Sequence, residues 1–174
     1  DGVSFTYQAA ASVSHVSPSV VLAEGGTPVT VHGSGFSLAS ESLGYLLCRI
    51  GTTVRRARWA SSSALVCNST RTQAGEARIE VSNNAREYTS DAARLQFVSV
   101  RVLDVQPWSG PQRGSTVVSV RGRGVLPGVL RCAFGESEPS VAWSGGASRL
   151  RCESSSSAVT GWVGVQLASF HGAL

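Results

Sequence analysis

The chain has 174 residues, of which 42% are hydrophobic and 15% charged, with a net charge of +4. That composition belongs to a folded globular protein and not to a disordered one, and no apolar run approaches the roughly 20 residues that a membrane-spanning helix needs. The charge is modest and spread along the chain, whereas a nucleic-acid binder concentrates it on one face or stripe.

All 15 basic residues are arginine, and lysine and methionine are both absent. This usage reads as the codon bias of a GC-rich genome. No basic segment followed by an apolar one opens the chain, which therefore reads as a mature segment or a fragment of a longer protein.

Taken in chain order, the elements are all of one kind. Val29-Thr30-Val31-His32 is β-branched and alternating, and Gly33 and Gly35 close it, where glycine permits positive φ or close backbone approach. Cys48-Arg49-Ile50-Gly51 follows, then a basic run (Arg55, Arg56, Arg58), Trp59, and Ala64-Leu65-Val66-Cys67. Arg78-Ile79-Glu80-Val81 and Leu95-Gln96-Phe97-Val98 alternate again, with Gly, Pro, Ser and Asn clusters between. No segment of 12 residues shows a convincing period of 3.6. Short strands punctuated by turns predict an antiparallel sandwich.

The pattern then repeats. Val16-Ser17-Pro18 matches Val105-Gln106-Pro107 at an offset of 89, and Val29 to Gly35 matches Val118 to Gly124 at the same offset. Cys48 to Gly51 matches Cys132 to Gly135 at 84, which also sets Trp59 over Trp143. Ala64 to Cys67 matches Arg149 to Cys152 at 85, and Gly75 to Ile79 matches Gly161 to Val165 at 86. Two homologous domains follow one another, with almost nothing between Val98 and Val100. Without a flexible spacer they are expected to hold a restricted angle.

Val16-Ser17-Pro18, Gly25-Gly26-Thr27, Val29 to Phe36, Cys48 to Gly51 and Ser62 to Cys67, in that order, resemble the immunoglobulin-like IPT/TIG domain. That family is shared by plexins, Met-type receptors, fibrocystin-like ciliary surface proteins and some transcription factors. The second copy keeps the skeleton, with Val125 where the first has Phe36. The resemblance implies two tandem β-sandwiches, end to end. Residues 1–12 would be the last strand of a preceding domain (Ser4-Phe5-Thr6-Tyr7) and a linker, residues 13–99 the first domain, and residues 100–174 the second without its final strand. A sandwich lacking that strand exposes a sheet edge.

Cys48 and Cys67 are separated by 18 residues and Cys132 and Cys152 by 19. Zinc ligands come in closer couples, and His15, His32 and His171 do not recur beside the cysteines. An even, repeated count reads as one disulfide per domain in an oxidising compartment, with buried free thiols as the alternative. Cell-surface relatives pair these positions. The segment from Cys48 to Cys67 then reads as one disulfide-bounded strand–turn–strand unit with Trp59 in the core.

Asn68-Ser69-Thr70 is the chain's N-glycosylation sequon. Arg55, Arg56 and Arg58 do not repeat and form a candidate contact patch private to the first domain. His32 stands where Arg121 stands, which makes it a surface residue at a strand end and not a catalytic base. No nucleophile elbow or repeated acid pair suggests catalysis, so neither enzymatic activity nor a cofactor or metal is expected.

The reading is a semi-rigid, non-catalytic segment of an extracellular, cell-surface or ciliary/flagellar protein. Its partners would be other proteins: neighbouring domains, another copy or a surface partner. Nucleic acid and direct membrane insertion are not expected. The alternatives are a DNA-binding pair of a transcription factor, and accessory domains of a carbohydrate-active enzyme.

Overall fold

The computed structural model describes residue 2 and residues 7–91, 93–125, 130–146 and 148–169. The strand expected at Ser4–Tyr7 falls on residues 4–6, outside the described set, as does His171. The chain forms two compact units, Asp1–Phe97 and Val98–Leu174.

Unit 1 is built by alternation. In β3 (Pro28–Ser34), Val29 and Val31 are fully buried while Thr30 and His32 take the opposite face. β1 (Ser12–Ser17), β3, β7 (Ala64–Asn68) and β6 (Arg58–Ser61) form a four-stranded sheet in the order β1-β3-β7-β6. A five-stranded sheet runs in the order β2 (Val20–Leu22), β9 (Arg94–Val98), β8 (Gly75–Ser82), β4 (Leu47–Ile50), β5 (Thr53–Arg56). Leu65 from the first sheet and Ile79, Val81, Leu95 and Phe97 from the second enclose one core. Each such side chain contributes roughly 1.5–3 kcal/mol by leaving water. Among the described residues the helical content is one short element, α1 (Leu38–Ser42), whose N-cap Ser37 accepts a hydrogen bond from the Ser40 amide.

Unit 2 follows the same plan. β10 (Arg101–Gln106), β11 (Val117–Arg123), β12 (Leu130–Phe134), β13 (Ser140–Ser144), β14 (Arg149–Glu153) and β15 (Val165–Ser169) join in the order β10-β11-β14-β13-β12-β15. The correspondence reaches fine detail. A register shift between Val13 and His15 on β1 recurs between Val102 and Asp104 on β10.

Gly33 and Gly122 are demanded by close approach. A Cβ on Gly33 would stand 1.9 Å from the Ser12 carbonyl oxygen and 2.8 Å from the Phe36 ring. On Gly122 it would meet the Arg101 carbonyl oxygen and Val125, each at 2.6 Å. Phe36 and Val125 are both buried, so each plugs its sandwich over a bare backbone.

The segment from Cys48 to Cys67 is not a single strand–turn–strand unit. β4 and β5 form one hairpin in the five-stranded sheet, and β6 and β7 form another in the four-stranded sheet. The chain changes sheets at Ala57, which is buried and donates its amide hydrogen to the Leu46 carbonyl. In unit 2 one strand, β13, does the work of both: Ser140 and Val141 pair with β12, and Ala142 to Ser144 pair with β14.

This pairing corrects the repeat alignment at the tryptophans. Ala57 precedes Arg58, which opposes Val66, just as Ala142 precedes Trp143, which opposes Arg151. Trp143 is therefore the counterpart of Arg58, and Ser144 that of Trp59. Cys48 pairs with Arg55, seven residues on, and Cys132 with Ser140, eight residues on, so the second connection is one residue longer in register, and in a strand a slip of one residue exchanges the faces. Trp59 packs against the core, whereas Trp143 is 41% exposed.

Candidate interaction surfaces

The cysteines lie on facing strands of the two layers. Cys48 of β4 is bonded to Cys67 of β7, with 6.3 Å between their Cα atoms, and Cys132 of β12 to Cys152 of β14, with 6.2 Å. All four residues are fully buried. Each bridge therefore ties the strand that carries the first hairpin to the strand beside β3 or β11. Bonds closing loops of this length contribute about 3 kcal/mol in the chain-entropy account.

Arg55, Arg56 and Arg58 are all exposed, on the two edge strands either side of Ala57. Register places them in different directions. Arg55 opposes Cys48 and starts on the core-facing side, Arg56 opposes Leu47 on the other side, and Arg58 opposes Val66 on the outer face of the four-stranded sheet. The trio thus fans around one edge of the sandwich and does not form a stripe. Among the described residues none of the three has a carboxylate partner. Their counterparts in unit 2 are Ser140, Val141 and Trp143.

Asn68 ends β7 with its side chain exposed, while Ser69 is buried and its hydroxyl accepts the Thr27 amide hydrogen at 2.9 Å. Its neighbour Cys67 points into the core, so Asn68 points out of the four-stranded sheet, on the face that carries Thr30 and His32.

The outer face of the five-stranded sheet is set by a cluster that the sequence did not single out. Arg49 donates to Glu80 at 2.6 Å across the β4–β8 ladder, and its guanidinium lies 4.2 Å from the centre of the Tyr88 ring. The Glu80 hydrogen bond raises the Arg49 pKa above its ordinary value, against a smaller opposing effect of desolvation. Arg49 and Glu80 align with Ala133 and Gln166 in unit 2, so the pair belongs to unit 1 alone.

Unit 2 has a feature of its own. An open groove of about 660 Å³ is lined by Val105, Trp108, Phe134, Trp162, Val163 and Val165 among others. Trp108 and Trp162 stack at its mouth, ring centroids 6.0 Å apart, and are 76% and 88% exposed. In unit 1 the equivalent slot is occupied by β9. There Leu95 and Phe97 are buried, and the first half of β8, from Gly75 to Arg78, pairs with β9. Among the described residues unit 2 has no counterpart of β9. Among the described residues, 161–164 have no second strand to pair with, and β15 begins at Val165.

Each of these features sits on a two-layer framework with a repeated inter-sheet bridge. Residues 11–97 match the IPT/TIG domain family. The chain belongs to that family. Among solved structures, this IPT/TIG chain is similar to the full extracellular region of plexin A4 in two crystal forms. The first, with domains 1 to 8, matches over 92% of this chain and 17% of that one, with 18% identity and a TM-score of 0.66. The second, with domains 1 to 10, matches over 92% and 15%, with 18% identity and a TM-score of 0.68. At that identity the likeness is one of fold, and the IPT/TIG chain spans less than a fifth of either plexin chain. No curated protein sequence matches it.

Proposed function

We propose that this chain is a non-catalytic extracellular module, a semi-rigid segment of a tandem array of IPT/TIG domains on a cell or ciliary/flagellar surface. Its work is spacing and protein–protein contact. The observation that carries this reading is the recurrence of a buried inter-sheet disulfide at equivalent positions in both units, since such bonds persist in oxidising compartments. An exposed Asn68 at the head of a sequon agrees with it, and a glycan there would keep the outer face of the four-stranded sheet in solvent. The short junction between β9 and β10 supports restricted inter-domain motion.

The contact surface assigned to unit 1 is the arginine fan around Ala57. A DNA-binding role is the weaker reading, because the register starts the three side chains on different faces of the edge, whereas nucleic-acid binders gather basic residues on one face or stripe.

Intact-mass analysis under non-reducing conditions, on protein secreted from a eukaryotic host, tests the proposal. Two disulfides and a glycosidase-sensitive mass at Asn68 are expected. Four free thiols together with an unmodified Asn68 would overturn the extracellular reading, and a DNA affinity falling steeply with salt would replace it.

A further inference from the structure

His15 and His32 oppose each other on β1 and β3, beside the register shift that follows Val13. Their rings stack with centroids 4.4 Å apart and 7° between planes. His15 is exposed and His32 half-buried, so solvent reaches the pair.

Ser14, at the register shift, touches both histidine residues. Its hydroxyl donates to the His32 carbonyl at 3.1 Å. The same oxygen lies 3.0 Å from Nδ1 of His15. A hydroxyl has one hydrogen to give, so when it serves the His32 carbonyl its oxygen accepts from Nδ1–H of His15. In that tautomer Nε2 of His15 keeps its lone pair. Histidines that bind metal are typically held in this way, with one ring nitrogen donating to an oxygen and the other left free to ligate.

The second unit shows what the scaffold itself requires at this place. The residues in the same register, beside the same shift, are Asp104 and Arg121. A cross-strand pair of opposite charge is an ordinary sheet contact. Two imidazoles in its place are not needed for the fold and offer two nitrogen donors. Side chains directly opposite on antiparallel strands have Cβ atoms about 4.5–5.5 Å apart. Rotation about side-chain bonds can then bring both rings to one ion at about 2.0–2.1 Å. Among the described residues no cluster of three or more His, Cys, Asp and Glu forms a metal site, so the protein would supply two ligands and water the rest.

We propose that His15 and His32 form a two-imidazole site for a divalent transition-metal cation, with Cu²⁺ preferred over Ni²⁺ and Zn²⁺ as nitrogen donors dictate. Ser14 is the positioning residue.

The test is titration of the full 174-residue chain with Cu²⁺ alone, followed by calorimetry and by electron paramagnetic resonance. Two equatorial nitrogens from imidazole are expected in the wild type. The double variant His15→Asp, His32→Arg installs the pair that unit 2 tolerates, so it should fold with an unchanged melting temperature and lose the two-nitrogen signal. Ser14→Ala should keep both imidazoles and the melting temperature yet weaken Cu²⁺ binding about tenfold, at the low end for loss of an outer partner; Ser14→Thr should restore it. A wild-type spectrum with fewer than two such nitrogens, or one that persists in the double variant, overturns the site. An unchanged affinity in Ser14→Ala overturns the role given to Ser14.

Discussion

The indole nitrogen of Trp59 donates to the carbonyl oxygen of Phe36 at 3.1 Å. This bond links the strand just past the sheet-changing corner to the plug that closes the sandwich. Trp59→Phe keeps most of the apolar area and leaves the carbonyl without this donor, so a loss of about 1 kcal/mol is expected. Trp143→Phe, on an exposed face, should change stability by less than about 0.5 kcal/mol. Urea denaturation of the two variants distinguishes them, and equal effects would contradict the one-residue difference in register.

Gly33→Ala is expected to be far more damaging than its size suggests. The added methyl would stand inside the contact distance of the Ser12 carbonyl and of the Phe36 ring. Moving either disturbs β1 or the core plug, and overpacking of this kind costs about 1–3 kcal/mol or more. A thermal melt of the variant that matches the wild type would refute the close-approach account.

Removing the Cys48–Cys67 bridge by a double change to alanine should cost unit 1 about 3 kcal/mol. The same pair of changes should leave hydrogen exchange in unit 2 as it was, because Cys132–Cys152 closes that unit separately. Exchange measured by mass spectrometry on both units reads the two outcomes in one experiment.

Thr27 is 3% exposed, and its hydroxyl finds no hydrogen-bond partner among the described residues. Thr27→Val removes that unpaired oxygen while the backbone bond to Ser69 remains. A gain of about 1 kcal/mol in unfolding free energy is expected. A loss on urea titration would mean that the hydroxyl has a partner in solution.

Ile79 to Val81 of β8 pair with β4 on one side, and on the other the Ile79 amide donates to the Ala93 carbonyl and the Val81 amide to the Thr89 hydroxyl, whereas β15 is an edge strand among the described residues. Amides of β15 should therefore exchange faster than those of Ile79 to Val81 in the folded protein. Equal protection would indicate that another segment covers the β15 edge and the groove beside Trp162.

Much of this molecule is decided locally and can be read along the chain. Alternation in Val29 to His32 and in Leu95 to Val98 names the buried face, because side chains in a strand point to opposite sides with a period of two. The spacing of Cys48, Cys67, Cys132 and Cys152, recurring with the Gly-rich strand ends, marks two copies of one fold. Other facts depend on which strand pairs with which, and that is set by contacts distant in sequence. The change of sheet at Ala57 separates the arginines and makes Cys48–Cys67 an inter-sheet tie, as the change of partner within β13 does for Cys132–Cys152. One added residue in a turn sends Trp143 to the outside. The His15–His32 stack joins residues 17 positions apart through the register of β1 on β3, and nothing in the sequence around either histidine announces the other.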